Sequence, residues 1–265
     1  MQCKSIIIFG IGSIGSSIAE LMAKSGVGNI TLVDPELIQP ENTSRHVLGA
    51  DAINNNKAVA LAKSLLKRFP HLNIEGIAQT CGEFFHKYQE KLQSADLIIS
   101  TIGDWGAESQ LNAMALESSA IPPILYGWLE PHAAAGHAVA LFPKSSCLRC
   151  IVDSLGKPRL SVTDWHDQET TLPVPLCGGH FQPYGAIELT HAHALIADLA
   201  LDVLFHQLTC STYRVWIGSS KLLDRSGGKW SVSWVEAYGD PGAGGRLAEI
   251  PIHNDTNCPE CGGSC

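Results

Sequence analysis

The sequence predicts an α/β fold, a doubly wound, mainly parallel sheet, for a chain of 265 residues. Three observations carry that expectation. Short apolar runs alternate with helix-period segments through the first half of the chain, as in strands joined by crossover helices. The first run, "SIIIF" (Ser5–Phe9), is almost continuously apolar, which suits a strand covered on both faces. A glycine-rich turn at residues 10–15 then separates that run from a helical segment.

The elements follow in order. The first helix runs from the turn to about Lys24, and "NITLVD" reads as a second strand ending at Asp34. "NNNKAVALAKSLLKRF" has helical periodicity, with asparagines able to cap its start. "LNIEGIAQ" and "ADLIIST" read as two further strands, with a helical stretch at about 84–92 between them. "AESQLNAMALESS" gives another helix and "PPILYGW" another strand. The rhythm then changes. "GHAVALF" reads as a strand leading to Cys147 and Cys150, and residues 154–179 are polar, proline-rich and without period. A loop of that length in a compact domain is functional or disordered. A long helix follows in "PYGAIELTHAHALIADLALDVLFHQL", with Pro183 in its first turn. "TYRVWIGS" and "KWSVSWVEA" read as late strands around a glycine-rich turn, before the closing "NCPECGGSC".

Composition narrows the function. A hydrophobic share of 45% is ample for a core, and a formal charge of −8 argues against a general nucleic-acid binder, whose affinity comes from Lys and Arg. No apolar run approaches the roughly 18 residues of a membrane span. "MQCKSIIIFG" lacks a signal-peptide h-region and cleavage site, so a cytoplasmic protein is expected. There the nine cysteines are expected as thiols or metal ligands rather than disulfides. The first strand starts so early that both a short protein and a piece of a longer one stay open.

Gly10, Gly12 and Gly15 form G-x-G-x-x-G between a strand and a helix, the setting in which glycines let a phosphate approach the helix N-terminus. Asp34, at the second strand's end, is placed to accept from ribose hydroxyls, which makes this a Rossmann-like nucleotide-binding unit. The loop "DPELIQPENTSR" adds Glu36, Asn42 and Arg45, and Lys57 and Asp104 approach the same crevice at the strands' carboxyl ends. Cationic and amide groups beside phosphates suit a triphosphate, and a nearby Asp suits magnesium. Hydride transfer has little use for that set. Cys147-x-x-Cys150 and Cys258-x-x-Cys261 are two pairs able to close a tetrahedral zinc site with no open position. Cys177 ends the long loop just before the following helix, where a thiol's pKa can be lowered. Cys3, Cys81 and Cys210 are expected to be buried. His191 and His193 are two apart on a helix, so they should face apart rather than share a metal.

The pattern G-x-G-x-x-G, D-x-E-x-x-x-x-x-N-x-x-R, a later Lys and the paired cysteines resembles the ubiquitin-activating superfamily of ThiF-type adenylyltransferases. The likeness is nearest to the activating domains of bacterial ubiquitin-like conjugation systems. It implies that ATP is held by Asn42, Arg45 and Lys57, its ribose by Asp34 and magnesium by Asp104, with a structural zinc on the four cysteines. It further implies a ubiquitin-like or sulfur-carrier partner ending in glycine, a downstream conjugating protein and a homodimer. Pro175-x-Cys177, followed by Pro183 and a helix, is similar to the thioester cysteine of ubiquitin activators, so Cys177 would accept the activated carrier. With Arg45 and Asp104 it completes the expected catalytic set. The sequence departs from the family in Gly103-Asp104-Trp105, where Thr-Asp-Asn is common, and in having no helix before the first strand to bring an Arg to ATP. That Arg would come from a fused or partner segment.

The expected organisation is one domain over 1–265. Residues 1–145 form the nucleotide-binding core; 146–265 carry the zinc knuckle, crossover loop, helix and late strands. A sulfur-carrier activator without a thioester, a nucleotide-binding scaffold without turnover and a nicotinamide-dependent oxidoreductase stay open as alternatives.

Overall fold

A computed structural model describes residues 3–118, 120–143, 146–165, 170–173, 180–181, 184–205, 208–252 and 257–262. Strand β1 (Ser5–Phe9) lies inside the sheet, paired in parallel with a strand on each side. Its side chains alternate between two cores, as the period of two requires. Ile6 and Ile8 join one buried cluster, and Ile7 and Phe9 join the other.

From β1 the chain runs through α1 (Ser13–Lys24), β2 (Asn29–Val33), α2 (Lys57–Arg68) and β3 (Asn73–Ile77). It continues through α3 (Cys81–Lys87), α4 (Gln89–Ser94), β4 (Leu97–Ser100), α5 (Trp105–Glu117), β5 (Ile124–Leu129) and β6 (Ala135–Leu141). The remaining elements are α6 (Leu148–Ile151), β7 (Thr163–Asp164), β8 (Leu172–Pro173), β9 (His180–Phe181), α7 (Ala186–Phe205) and β10 (Thr212–Ser219). They end with α8 (Ser220–Ser226), β11 (Lys229–Trp230), α9 (Val232–Tyr238) and β12 (Gly244–Ile250). The main sheet has the order β12-β10-β6-β5-β4-β1-β2-β3. β3, β2, β1, β4 and β5 pair in parallel, whereas β6, β10 and β12 add antiparallel. The strand order therefore reverses between β1 and β4, the switch point at which open α/β sheets form their crevice. Helices α1, α2 and α7 cover one face through Ile18, Met22, Leu61, Leu65, Ile196 and Leu199. Phe84 and Phe85 of α3 and Leu111 of α5 pack on the other.

Two expectations about elements change. The stretch read as one helix at 84–92 is two, broken where Tyr88 leaves helical geometry at φ −125° and ψ 40°. "KWSVSWVEA" forms only the two-residue β11 before turning into α9. Its alternation of Trp and Val mimics a half-buried strand, but Trp234 alone is buried in α9 while Val232 is left 64% exposed. Of the cysteines expected to be buried, Cys81 is; Cys3 and Cys210 are exposed, each lying beside the end of an element rather than inside it. His191 stacks on Trp216 of β10, whereas the His193 ring approaches the backbone of Ser13, so the two do face apart. No described helix is long and apolar enough to cross a membrane.

Two carboxyl groups, Glu130 buried and Glu108 half-buried, shape the region around the sheet. Glu130, 4% exposed, accepts from Val162 N at 2.6 Å, Thr163 N at 2.8 Å and His137 Nε2 at 2.9 Å, and from the Thr163 hydroxyl. It thereby ties β7 to the end of β5, while His137 passes the connection to the Tyr213 hydroxyl at 2.7 Å. Glu108, in the first turn of α5, accepts from Ser100 Oγ of β4 at 3.0 Å. Burial pushes its carboxyl up to about 7, against the pull of Ser100 and of the Gly103 backbone, with Asp104 adding to the rise.

Both groups give testable outcomes. Replacing Glu130 by Leu strands four donors, and the resulting loss of about 3 kcal/mol should appear as a lower urea midpoint. For Glu108 the folded-state pKa lies above the unfolded one, so the stabilising acid form is lost as pH rises from 4.5 through about 7. Glu108→Gln should therefore melt higher than the parent at pH 8 and show no such gain at pH 5.

Candidate functional site

At the switch point the carboxyl ends of β1, β2, β3 and β4 surround a cavity of about 360 Å³. Its lining includes Gly10, Gly12, Asp34, Glu36, Lys57 and Asp104. Six of the residues expected from sequence are thus brought together. Gly15, Asn42 and Arg45 are outside the lining.

The glycine turn is specified position by position. Gly10 has φ +83°, and a Cβ there would stand 2.7 Å from Ile102 Cα. A Cβ on Gly15 would stand 1.9 Å from Gly10 O, so that glycine serves close packing of α1 under the turn. A Cβ on Gly12 would meet nothing within 4 Å. Protein packing therefore does not require glycine at 12, whose backbone lies open at the cavity wall. Gly12 is also the N-cap of α1 and supplies no side-chain cap to the amides of the first turn. The Thr101 hydroxyl donates to Gly10 O at 2.8 Å and fixes the turn to the end of β4.

Asp34 is 5% exposed and accepts from Ile11 N at 2.6 Å on one oxygen and Glu36 N at 2.8 Å on the other. Each oxygen keeps acceptor capacity for a further donor. Burial pushes its pKa up, while the two amides and Lys57 pull it down. Asn56 caps α2 by accepting from Val59 N at 3.0 Å, and its amide donates to Asp34 O and Glu36 O. Lys57, the first residue of α2, has a side chain only 8% exposed and pairs with Glu36. A cation at a helix N-terminus opposes the helix dipole. Such a local conflict, accommodated by one carboxylate at the cavity edge, is characteristic of functional positions. Asp104 caps α5 by accepting from Ala107 N at 2.9 Å and stands exposed at the opposite wall.

The Asn42 side-chain Oδ1 accepts from Gln39 N at 2.9 Å, which closes the short turn that carries the loop. The Arg45 guanidinium lies 4.5 Å from the centre of the Tyr184 ring, and the Tyr184 hydroxyl is 3.4 Å from Ser13 Oγ. Cys177 lies outside the described residues, as does Cys265.

Several site residues escaped sequence reasoning. His46 is buried with both ring nitrogens engaged: Nδ1 accepts from Leu48 N at 3.0 Å, so Nε2 carries the proton and donates to Ile11 O at 3.0 Å. Burial lowers its pKa, with Lys57 acting in the same sense and the bond to Ile11 opposing. The ring fastens the arginine loop to the glycine turn. Gln79 lines the cavity just past β3, and its buried Oε1 has no partner among the described residues. An unpaired acceptor in a nucleotide-sized cavity suits an exocyclic amine. Cys81 also lines it, its thiol pushed up to about 12 by burial first and Glu108 second. The signal available for Gln79 was its place at a strand's carboxyl end; His46 and Tyr184 carry none.

A second cluster lies away from the cavity. Cys147, Cys150, Cys258 and Cys261 place their sulfurs within 4.8 Å of one another, with Cys147–Cys258 and Cys150–Cys261 both 3.6 Å apart and Cys147–Cys150 3.9 Å. Tetrahedral zinc with sulfur ligands at about 2.3 Å requires sulfur–sulfur edges of roughly 3.8 Å. The cluster fits the ion, and it returns the C-terminal tail to the segment after β6.

Comparison with known proteins agrees with this architecture. The ThiF family model matches residues 2–196. The ATP-dependent ubiquitin transferase-like protein Cap2 of Pseudomonas aeruginosa is 30% identical over 75% of this chain and 36% of its own length. The molybdopterin-synthase adenylyltransferase of Haemophilus influenzae is 31% identical over 42% of this chain and 46% of its own. The chain thus spans less than half the length of these two relatives. Among solved structures, E. coli MccB with MccA-N7isoASN superposes with a TM-score of 0.64 at 19% identity, covering 98% of this chain and 67% of that one, a likeness of fold. On the match over residues 2–196, this chain belongs to the ThiF family.

Proposed function

We propose that this protein is an ATP-dependent adenylyltransferase acting on the C-terminal carboxylate of a small ubiquitin-like carrier that ends in glycine. The observation that carries the reading is the convergence of an uncapped glycine turn, a buried Asp34, Lys57 and Asp104 on one cavity at the switch point. Relatives with ubiquitin transferase-like and adenylyltransferase names support it.

In this reading the amides at the start of α1 bind phosphate, Asp34 accepts from the ribose and Gln79 accepts from the base amine. Magnesium, when held at Asp104, offsets charge on the triphosphate. A carboxylate oxygen of the carrier attacks the α-phosphorus in line. A new P–O bond forms, the bond to the β-phosphate's bridging oxygen breaks, and pyrophosphate leaves. Lys57 and Arg45 neutralise the charge developing on the departing end, Arg45 by leaving the Tyr184 ring. The thiolate of Cys177 then attacks the acyl carbon and expels AMP, giving a thioester. The carrier passes from there to a conjugating partner. A structural zinc on the four cysteines, a homodimer and a cytoplasmic location complete the proposal. The likeness to a molybdopterin-synthase enzyme favours one second reading, in which the adenylate goes to a sulfur donor and Cys177 forms no thioester.

ATP–pyrophosphate exchange with a panel of glycine-ending carriers tests the first step. Arg45→Ala and Asp104→Ala should each lower exchange about 100-fold, the scale of losing one charge-stabilising group. Exchange untouched by both would overturn the site. Cys177→Ala should keep exchange while abolishing a thiol-labile adduct between carrier and enzyme. An adduct that survives the substitution removes Cys177 from the mechanism.

A further inference from the structure

Helix α5 begins at the cavity and ends beside the cysteine cluster, and its packing is unusual. Of its thirteen residues only Leu111 and Asn112 are buried. One of the two is polar, 2% exposed, and both ends of its amide are committed. Asn112 Oδ1 accepts from Leu148 N at 2.7 Å, next to Cys147, and Nδ2 donates to Glu260, which lies between Cys258 and Cys261. A single side chain thus grips both cysteine pairs. The same helix leans on the segment after Cys150 a second time, since a Cβ on Gly156 would stand 2.7 Å from Trp105 Cβ. Glu108 adds a polar tie from the same helix to Ser100 of β4. Eight residues before Asn112 is Asp104, the N-cap, about 12 Å away along a rigid rise.

We propose that Asn112 is a positioning residue that couples the cysteine cluster to the Asp104 end of the nucleotide cavity. Trp105, Ala107, Met114 and Ala115 pack only in part against the core beside Leu111, so the two polar bonds of Asn112 fix the axial position of α5 against the knuckle. An ordered knuckle therefore sets where Asp104 stands. The inference rests on the reading of Asp104 as the magnesium-facing residue of an ATP site.

The donor and acceptor pattern supplies a swap that separates contact from mere packing. Asn112→Asp sets a carboxylate against Glu260 and loses the donor. Combined with Glu260→Gln, the donor returns from the other side and the bond from Leu148 N is kept. Calorimetric titration with a non-hydrolysable ATP analogue and magnesium should show about fivefold weaker binding for Asn112→Asp. The double variant should recover to the parent's affinity, and the penalty should vanish when magnesium is chelated. Hydrogen exchange of the amides at 105–108 should quicken in the single variant and recover in the double, with zinc content measured in every sample. Unchanged affinity and exchange in Asn112→Asp, or no recovery in a fully zinc-loaded double variant, overturns the coupling. Asp104→Ala separates the two levels. If it weakens magnesium-dependent binding while Asn112→Asp does not, the coupling alone fails; if it has no effect, the reading of the site fails with it.

Discussion

Burial of β1 on both faces and both edges is the constraint on which the rest of the molecule depends. Ile6, Ile7, Ile8 and Phe9 are each at most 1% exposed, so no polar group can be placed along the strand without a partner. Chemistry is pushed to the strand's end, where the backbone must turn at once and meets β4 on one side and β2 on the other. The left-handed turn at Gly10, the amide of Ile11 on Asp34 and the Thr101 hydroxyl on Gly10 O all follow from that meeting. Once these are set, Gly12 is held at the cavity wall as the N-cap of α1.

Charge in the cavity is arranged around the same turn. Asp34 is stripped of most of its water and compensated by backbone amides, while Lys57 stands where a helix would rather have an anion. Neither group contributes its best to stability in that position. The stabilising polar links lie elsewhere, in the Glu130 network under β7 and in Arg214, which pairs with Asp198, Asp202 and Glu249 across α7, β10 and β12. This separation of roles follows the general pattern in which local rules are broken at sites of function and obeyed around them.

How much of this was legible in the sequence varies with the physics. The parallel core could be read because continuously apolar strands and helix-period segments leave a direct trace, and Asn56 announced the start of α2. The residues lining the cavity could be read because the strand ends converge by topology. The paired cysteines could be read because the spacing itself matches a tetrahedral ion. His46 and Tyr184 could not, since their meaning lies in contacts across the chain, as with Tyr184 meeting Arg45 and Ser13. α9 misled because seven residues with alternating bulky groups satisfy two periods equally well, and one buried Trp234 decided between them.

The sulfur cluster joins positions 111 residues apart in the chain. An ion bridging Cys147 to Cys258 would close a loop of that size in the denatured ensemble, whose lost freedom is worth about 5 kcal/mol in the chain-entropy picture of a cross-link. Because α7, β10 and β12 all lie inside that loop, the antiparallel wing could not peel away from the parallel half without carrying the tether along. The knuckle would then act on folding as a polymer clasp, merging what are architecturally two regions into one cooperative melting unit.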